Sequence, residues 1–328
     1  MADARRPTAR RAAASAATAL IAAGAARVAY RSLNLNPPGG ATQWTRTNHR
    51  GEPVTLLEGP AVAAAGVMAA LAAPGLPGRS RAALAAAAAG AGALGGYDDI
   101  AGSGDKRGFR GHLGALAHGE ITTGAVKLGG IGATGVAAAA LTGGPVADVA
   151  VNAALVAGAA NLLNLFDLRP GRAIKVALAA GLPMGLTQLS RGGARPCAVA
   201  VPIGAAAALL PEDLGERAML GDAGANALGA MLGTAAAGTL SRRSRVAMLA
   251  GITALTAASE VVSFTKVIQR TPPLHWLDML GRRPAHAAGP AGPAPRPATA
   301  PPAGEPVLAE LNGHADRDPS SLAVPPSP

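Results

Sequence analysis

Carboxylates and carboxamides gather at three places in a chain otherwise poor in charge. Asp98 and Asp99 stand side by side after Gly96-Tyr97. Asn161, Asn164 and Asp167 recur at a three-residue interval, and Gly221-Asp222-Ala223-Gly224-Ala225-Asn226 sets one aspartate among small residues. Two adjacent carboxylates repel each other and call for a counter-charge, and a divalent cation is the natural one. The three-residue interval puts Asn161, Asn164 and Asp167 on one face of a helix. The small residues around Asp222 let backbone and ligand approach closely. Beyond Asp99 runs Lys106-Arg107-Gly108-Phe109-Arg110-Gly111-His112, basic side chains among glycines. That composition suits a phosphate-rich ligand, and a solvated basic loop is the plain alternative. Carboxylates able to hold Mg²⁺ beside cations able to hold phosphate are the parts of a phosphoryl-transfer site.

These residues need elements to position them, and the composition points to a membrane. Of 328 residues, 49% are hydrophobic and 15% charged, against about 25% charged in ordinary soluble domains. Nine apolar stretches, about 13–30, 54–74, 81–97, 122–142, 146–166, 173–190, 196–211, 222–240 and 244–263, are each about long enough to cross a bilayer. The expectation is an all-α polytopic membrane protein with about nine (8–11) transmembrane helices. A soluble bundle is disfavoured because the stretches lack a polar face. The basic residues Arg5, Arg6, Arg10 and Arg11 before the first stretch also suit a signal peptide. A single cysteine, Cys197, excludes a disulfide framework. The net charge of +10 is dispersed between apolar blocks, as in loops flanking membrane helices, which argues against nucleic acid. Nine spans place 31–53, 98–121, 167–172, 212–221 and the chain beyond 264 on one side. Lys and Arg are modestly more numerous there, so that side is expected to be cytoplasmic. The seven aromatics, Tyr30, Trp44, Tyr97, Phe109, Phe166, Phe264 and Trp276, fall at or beyond the ends of spans on the same side. The domain reading is a basic segment 1–12, a membrane domain 13–283 and a tail 284–328, whose Pro, Ala and Gly suit disorder.

Taken in order, Tyr97-Asp98-Asp99, Asn161-Leu162-Leu163-Asn164-Leu165-Phe166-Asp167 and Gly221-Asp222-Ala223-Gly224 resemble the signature loops of one membrane enzyme family. This is the polyprenyl-phosphate N-acetylhexosamine-1-phosphate transferases (glycosyltransferase family 4), which include phospho-N-acetylmuramoyl-pentapeptide transferase. Asn48-His49-Arg50-Gly51 is similar to the family's first cytoplasmic loop, and the resemblance covers about residues 45–270.

The resemblance implies a reaction of cell-envelope glycan and peptidoglycan synthesis. A polyprenyl phosphate attacks the β-phosphate of a UDP-N-acetylhexosamine with Mg²⁺, giving a lipid-diphosphate-sugar and UMP at the cell membrane. By position, Asp222 matches the metal-ligand aspartate, with Asp98 beside it. Asp98 and Asp99 match the catalytic pair, and Asn161, Asn164 and Asp167 the series lining the nucleotide-sugar site, Asp167 joining the catalytic set. Lys106 and Arg110 fall in the phosphate-facing loop, and Lys127 is placed near the phosphates by its depth in the fourth stretch. The sequence also departs from the family. Pro170 stands where a second aspartate is expected in Asp167-Leu168-Arg169-Pro170-Gly171. The histidine-rich last loop is replaced by Phe264-Thr265-Lys266-Val267-Ile268-Gln269-Arg270 and Pro272-Pro273-Leu274-His275-Trp276, leaving Lys266, Arg270 or His275 as substitutes. Two alternatives stay open: a weakened relative that binds polyprenyl phosphate or regulates wall assembly, and a transporter, since intramembrane Asp and Asn also mark ion paths. A homodimer also stays open.

Overall fold

The computed structural model describes residues 5–48, 50–101, 123–191 and 196–284. Within them almost every apolar stretch is helical, as a backbone that must satisfy its own hydrogen bonds in lipid requires. The helices are α1 (Arg5–Leu35), α2 (Ala41–Trp44), α3 (Glu58–Ala72), α4 (Gly78–Ala101), α5 (Thr123–Thr142) and α6 (Val146–Phe166). They continue with α7 (Arg172–Ser190), α8 (Pro196–Leu214), α9 (Gly221–Thr239), α10 (Arg242–Ser259), α11 (Phe264–Arg270) and α12 (Pro272–Met279). Each of the nine apolar stretches therefore carries one helix, and the protein is an all-α membrane protein. Four helices, α1 from Thr8, α6, α7 and α8, are long and apolar enough to cross a bilayer. The pair α10 and α11, bent by 95°, makes a fifth if it is one broken span. The apolar parts of α3 and α5 are shorter.

α9 runs through the middle of the bundle. From Ala223 to Ala236 every residue is buried, against α3, α4, α6 and α8. Only small residues permit this. A Cβ on Gly229 would overlap the carbonyl of Ala159 and come within 2.6 Å of the Ala160 Cα, so α9 and α6 touch backbone to backbone. α1 and α8 lie side by side in the same direction. Ser15 meets Cys197 at 3.7 Å, Ala19 closes on Gly204, and Arg27 pairs with Glu212 at 2.7 Å.

A short antiparallel hairpin interrupts the helices: β1 (Thr45–Thr47) pairs with β2 (Pro53–Thr55). Asn48 shapes its turn, its Oδ1 accepting the N–H groups of Arg50 at 2.8 Å and Glu52 at 2.9 Å. β2 then joins the α8–α9 link, the Met219 N–H donating to the Thr55 carbonyl at 3.0 Å. At the other end of the sequence, α12 docks on α7. The Arg172 guanidinium donates twice to the Asp278 carboxylate, at 2.7 and 3.0 Å, and Lys175 donates to the Asp278 carbonyl.

Two expected boundaries move. α4 continues to Ala101, past the expected end at residue 97, because Asp98 and Asp99 find partners that keep the last turn folded. The stretch expected from residue 54 begins with β2, and its helix starts at Glu58. Lys106, Arg110 and the tail from residue 285 lie outside the described residues.

Candidate functional site

The N-terminus of α9 is the meeting point. Gly221 enters the helix with φ +59°, a left-handed backbone that glycine adopts without strain. The Asp99 carboxylate accepts the N–H of Asp222 at 3.0 Å and that of Ala223 at 2.9 Å, so α4 caps α9 from the side. The Asp167 carboxylate, at the C-terminal end of α6, lies close to the N–H of Gly221. α4 passes so close that a Cβ on Gly95 would overlap the Asp222 carbonyl. Arg46, on β1, donates to the Asp99 carbonyl and brings the hairpin onto the same spot.

Lys127, one turn into α5, closes the cluster. Its Nζ donates to Asp98 Oδ2 at 3.1 Å and to Asp222 Oδ2 at 2.5 Å, and the Asp98 and Asp222 side chains also lie within hydrogen-bond reach of each other. Two carboxylates, Asp98 and Asp222, thus meet on one ammonium, with Asp99 and Asp167 at the adjoining terminus of α9. Among the described residues no group of three or more His, Cys, Asp or Glu side chains is arranged to hold a metal ion. The two oxygens that meet on Lys127 are the nearest approach to a cation site, because the Asp99 carboxylate is turned to the α9 backbone.

The other expected residues are less engaged. Asn161 and Asn164 lie half-buried in the last two turns of α6, and among the described residues neither side chain bonds to Asp98, Asp99 or Asp222. Lys266 is exposed on α11. α11 nevertheless lies at the right end of α6, since Phe264 stacks on Phe166 with ring centroids 4.9 Å apart.

A cavity of about 350 Å³ opens beside the cluster, lined by Asp167, Arg169, Pro170, Asp213, Glu216 and the hairpin residue Asn48 among others. Asp213 and Glu216 were not singled out from sequence. Asp213 Oδ1 accepts the Gly171 N–H at 3.0 Å, while its Oδ2 has no partner and the residue is 1% exposed. Glu216 anchors the hairpin through Asn48 Nδ2 at 3.0 Å and Arg50 Nε at 3.0 Å. A further carboxyl, Glu58 in the first turn of α3, is wholly buried with both oxygens unpartnered. The signal that could have found Asp213 is the one that found Asp167, an acidic residue where an apolar stretch ends. For Glu58 it is a lone charge inside one.

No family model matches this chain, and no curated protein matches it. The reading of the site therefore rests on its geometry and on the ordered motifs.

Outside the apolar helices, Glu52 and Arg283 pair at 2.5 Å. The hydrogen bond from Arg283, then that from Asn48, hold the Glu52 carboxyl down at about 2. Burial pushes the Asp278 carboxyl up, but the hydrogen bond and charge of Arg172, with Arg282 and Lys175, outweigh it and leave the group below its ordinary value.

Proposed function

We propose that this chain is a polytopic transferase of the cell membrane that moves N-acetylhexosamine-1-phosphate from a UDP-sugar to a polyprenyl phosphate. In this reading it has about nine spans and its acidic end faces the cytoplasm. The observation that carries it is the convergence of Asp98, Asp99, Asp167, Lys127 and Asp222 on the first turn of α9. They come from four helices far apart in sequence. No packing requirement explains so many charged groups at one spot of an apolar bundle.

The donor set fits Mg²⁺. Asp98 and Asp222 already share one cation, the Lys127 ammonium, and this hard ion takes one or two carboxylates plus phosphate oxygens and water. Bound by Asp98 and Asp222, it would neutralise charge developing on the phosphates. The chain's own groups then have separable tasks. Lys127, released from the carboxylates, is placed to hold a phosphate. Asp98 orients the lipid phosphate, or takes its proton, while an oxygen of that phosphate bonds to the β-phosphorus. The bond between the β-phosphorus and the oxygen that bridges to the α-phosphate breaks, and UMP leaves with that oxygen and the electron pair. Asp99 and Asp167 hold the α9 terminus, and with it Asp222, in place. The cavity beside Asp167 is the candidate seat of the nucleotide-sugar.

The experiment is Mg²⁺-dependent release of UMP from UDP-N-acetylglucosamine or UDP-N-acetylmuramoyl-pentapeptide with undecaprenyl phosphate in detergent. Asp222→Ala should abolish turnover without loss of fold; unchanged turnover would sink the metal assignment. A second reading, a relative that binds polyprenyl phosphate without turnover, is favoured by the ion pair itself, since Lys127 occupies the carboxylates a cation would use. Silence of folded protein with every UDP-sugar would establish that second reading over the first.

A further inference from the structure

Helix α10 lies beside α6 and runs the same way. Arg245, near its start, donates to Asn152 Oδ1 at 2.5 Å; Ile252, at its middle, faces Gly158; and Phe264, just past its end, stacks on Phe166. α6 is apolar and long enough to cross a bilayer, so α10 crosses with it and leaves the apolar layer where α6 ends. There the chain turns. α11 departs at 95° from α10 and therefore runs along the membrane plane, not through it.

α12 brings the chain back. The Arg172 guanidinium donates to the Thr265 hydroxyl, at the start of α11, at 3.0 Å, and to the Asp278 carboxylate, near the end of α12, at 2.7 and 3.0 Å. Leaving and returning to one guanidinium, the two helices form an arm about 9 Å long at the helical rise per residue. Arg172 is the first residue of α7, a second helix of membrane-crossing length, so the arm is rooted level with the edge of the apolar layer.

An arm facing only water at that level would be polar all round. This one is not. Within α11 and α12 only Asp278 is buried. Leu274, Trp276 and Leu277 project within an arc of about 160° on α12, Leu280 extends that face, and Trp276 is 63% exposed. His275 stands on the opposite side. On α11, Lys266 and Arg270 are exposed one turn apart on one face, and no ion pair among the described residues engages either. A short helical arm parallel to the membrane, with a Trp-containing apolar face and basic residues beside it, has the make-up of an element that lies in the headgroup layer.

We propose that the α11–α12 arm rests in the interfacial layer of the bilayer, with Leu274, Trp276 and Leu277 among the first acyl carbons and Lys266 and Arg270 at the lipid phosphates. Its partner is the lipid surface itself. The contact reaches the candidate site, because the root of the arm leads into Arg283. The Arg283 carbonyl accepts from Arg50 at 2.9 Å and its guanidinium pairs with Glu52, while Arg50 also donates to Glu216 in the cavity wall. Lipid that holds the arm thereby steadies the hairpin side of the cavity. The arm's seat on lipid does not rest on the proposed transferase activity.

Trp44→Phe leaves Trp276 as the sole tryptophan, so the fluorescence of the full chain in lipid nanodiscs then reports on the arm alone. Lipid brominated near the headgroup should quench Trp276 more than lipid brominated near the chain end, as for a helix buried about 5–10 Å into the boundary of headgroups and acyl chains, and aqueous iodide should quench it little. Should Trp44→Phe not fold, the same quantities follow from the difference between the wild type and Trp276→Phe. Leu274→Glu with Leu277→Glu should lift the arm, and iodide quenching should rise toward that of the unfolded chain. Lys266→Glu with Arg270→Glu should raise it in phosphatidylglycerol and less in phosphatidylcholine. Free quenching by iodide in the parent protein, strongest quenching by the deep bromine, protection from both quenchers (as burial against a second copy of the chain would give), or iodide protection unchanged by either double variant would each overturn the proposal.

Discussion

Lys127→Met tests the acidic cluster most directly, because Met keeps the length and apolar stem of the side chain and deletes only the ammonium. The ammonium reaches Asp98 at 3.1 Å and Asp222 at 2.5 Å, and the three side chains are 13%, 18% and 26% exposed. Exposed ion pairs contribute about 0–1 kcal/mol, and removing one member of a fully buried pair costs about 3–5 kcal/mol. Groups about one-fifth exposed fall between these limits, nearer the buried one, so the expected loss is about 2–3 kcal/mol. For a unit of this size that lowers the melting temperature by about 4–6 °C. The variant also leaves two carboxylates facing each other with no cation. Mg²⁺ at about a hundredfold its dissociation constant stabilises the folded state by about 2.7 kcal/mol, enough to cancel the loss. The assay is thermal unfolding of the detergent-solubilised full chain in chelator and in Mg²⁺, with a monovalent salt at matched ionic strength as control. A variant as stable as the wild type in chelator would refute the ion pair. A deficit that Mg²⁺ leaves unchanged would refute Asp98 and Asp222 as a cation site.

Three further perturbations address the frame around the site. Gly229→Leu drives a side chain into the Ala159 carbonyl and should cost about 1–3 kcal/mol or more, read as a lower unfolding temperature; tolerance would contradict the backbone contact of α9 and α6. Glu58→Met replaces a buried carboxyl that has no partner and should raise stability by about 1–3 kcal/mol, so a clear loss by the same measurement would show that the carboxyl is held after all. The third is a response to pH. Glu52 titrates at about 2 when folded, against 4.5 when free, and Asp278 is lowered in the same direction. Depressed carboxyl values contribute stability that is complete above about pH 4.5 and is lost as the pH falls through the folded value near 2. Pepsin should therefore leave residues 271–284 intact at pH 5 and cut them as the pH approaches 2. Cutting at pH 5 would count against both contacts.

What could be read ahead of the structure followed from local rules. Apolar length locates the helices, and an acidic residue where an apolar run ends marks Asp98, Asp167 and Asp222 without any knowledge of packing. The partners of those residues could not be read this way. Asp99 looks like the twin of Asp98 in sequence, yet it accepts backbone N–H groups 123 residues away, and only the crossing of α4 and α9 separates their roles. The docking of α12 is hidden for the same reason, since Arg172 and Asp278 are 106 residues apart. The hairpin escaped because β1 and β2 have three residues each, too few for alternation to register, and are held by Asn48 and by the link to Met219.

The burial of α9 has a consequence for how the protein is made. This helix follows some 220 residues of chain and is rich in alanine and glycine, so its own affinity for lipid is weak. Its partners α3, α4, α6 and α8 are all synthesised before it. The helices that bury α9 therefore leave the ribosome before it, and α9 packs by fitting between them. Lesions in those walls, such as a bulky residue at Ala160, would then appear first as failed packing of a segment that the mutation does not touch.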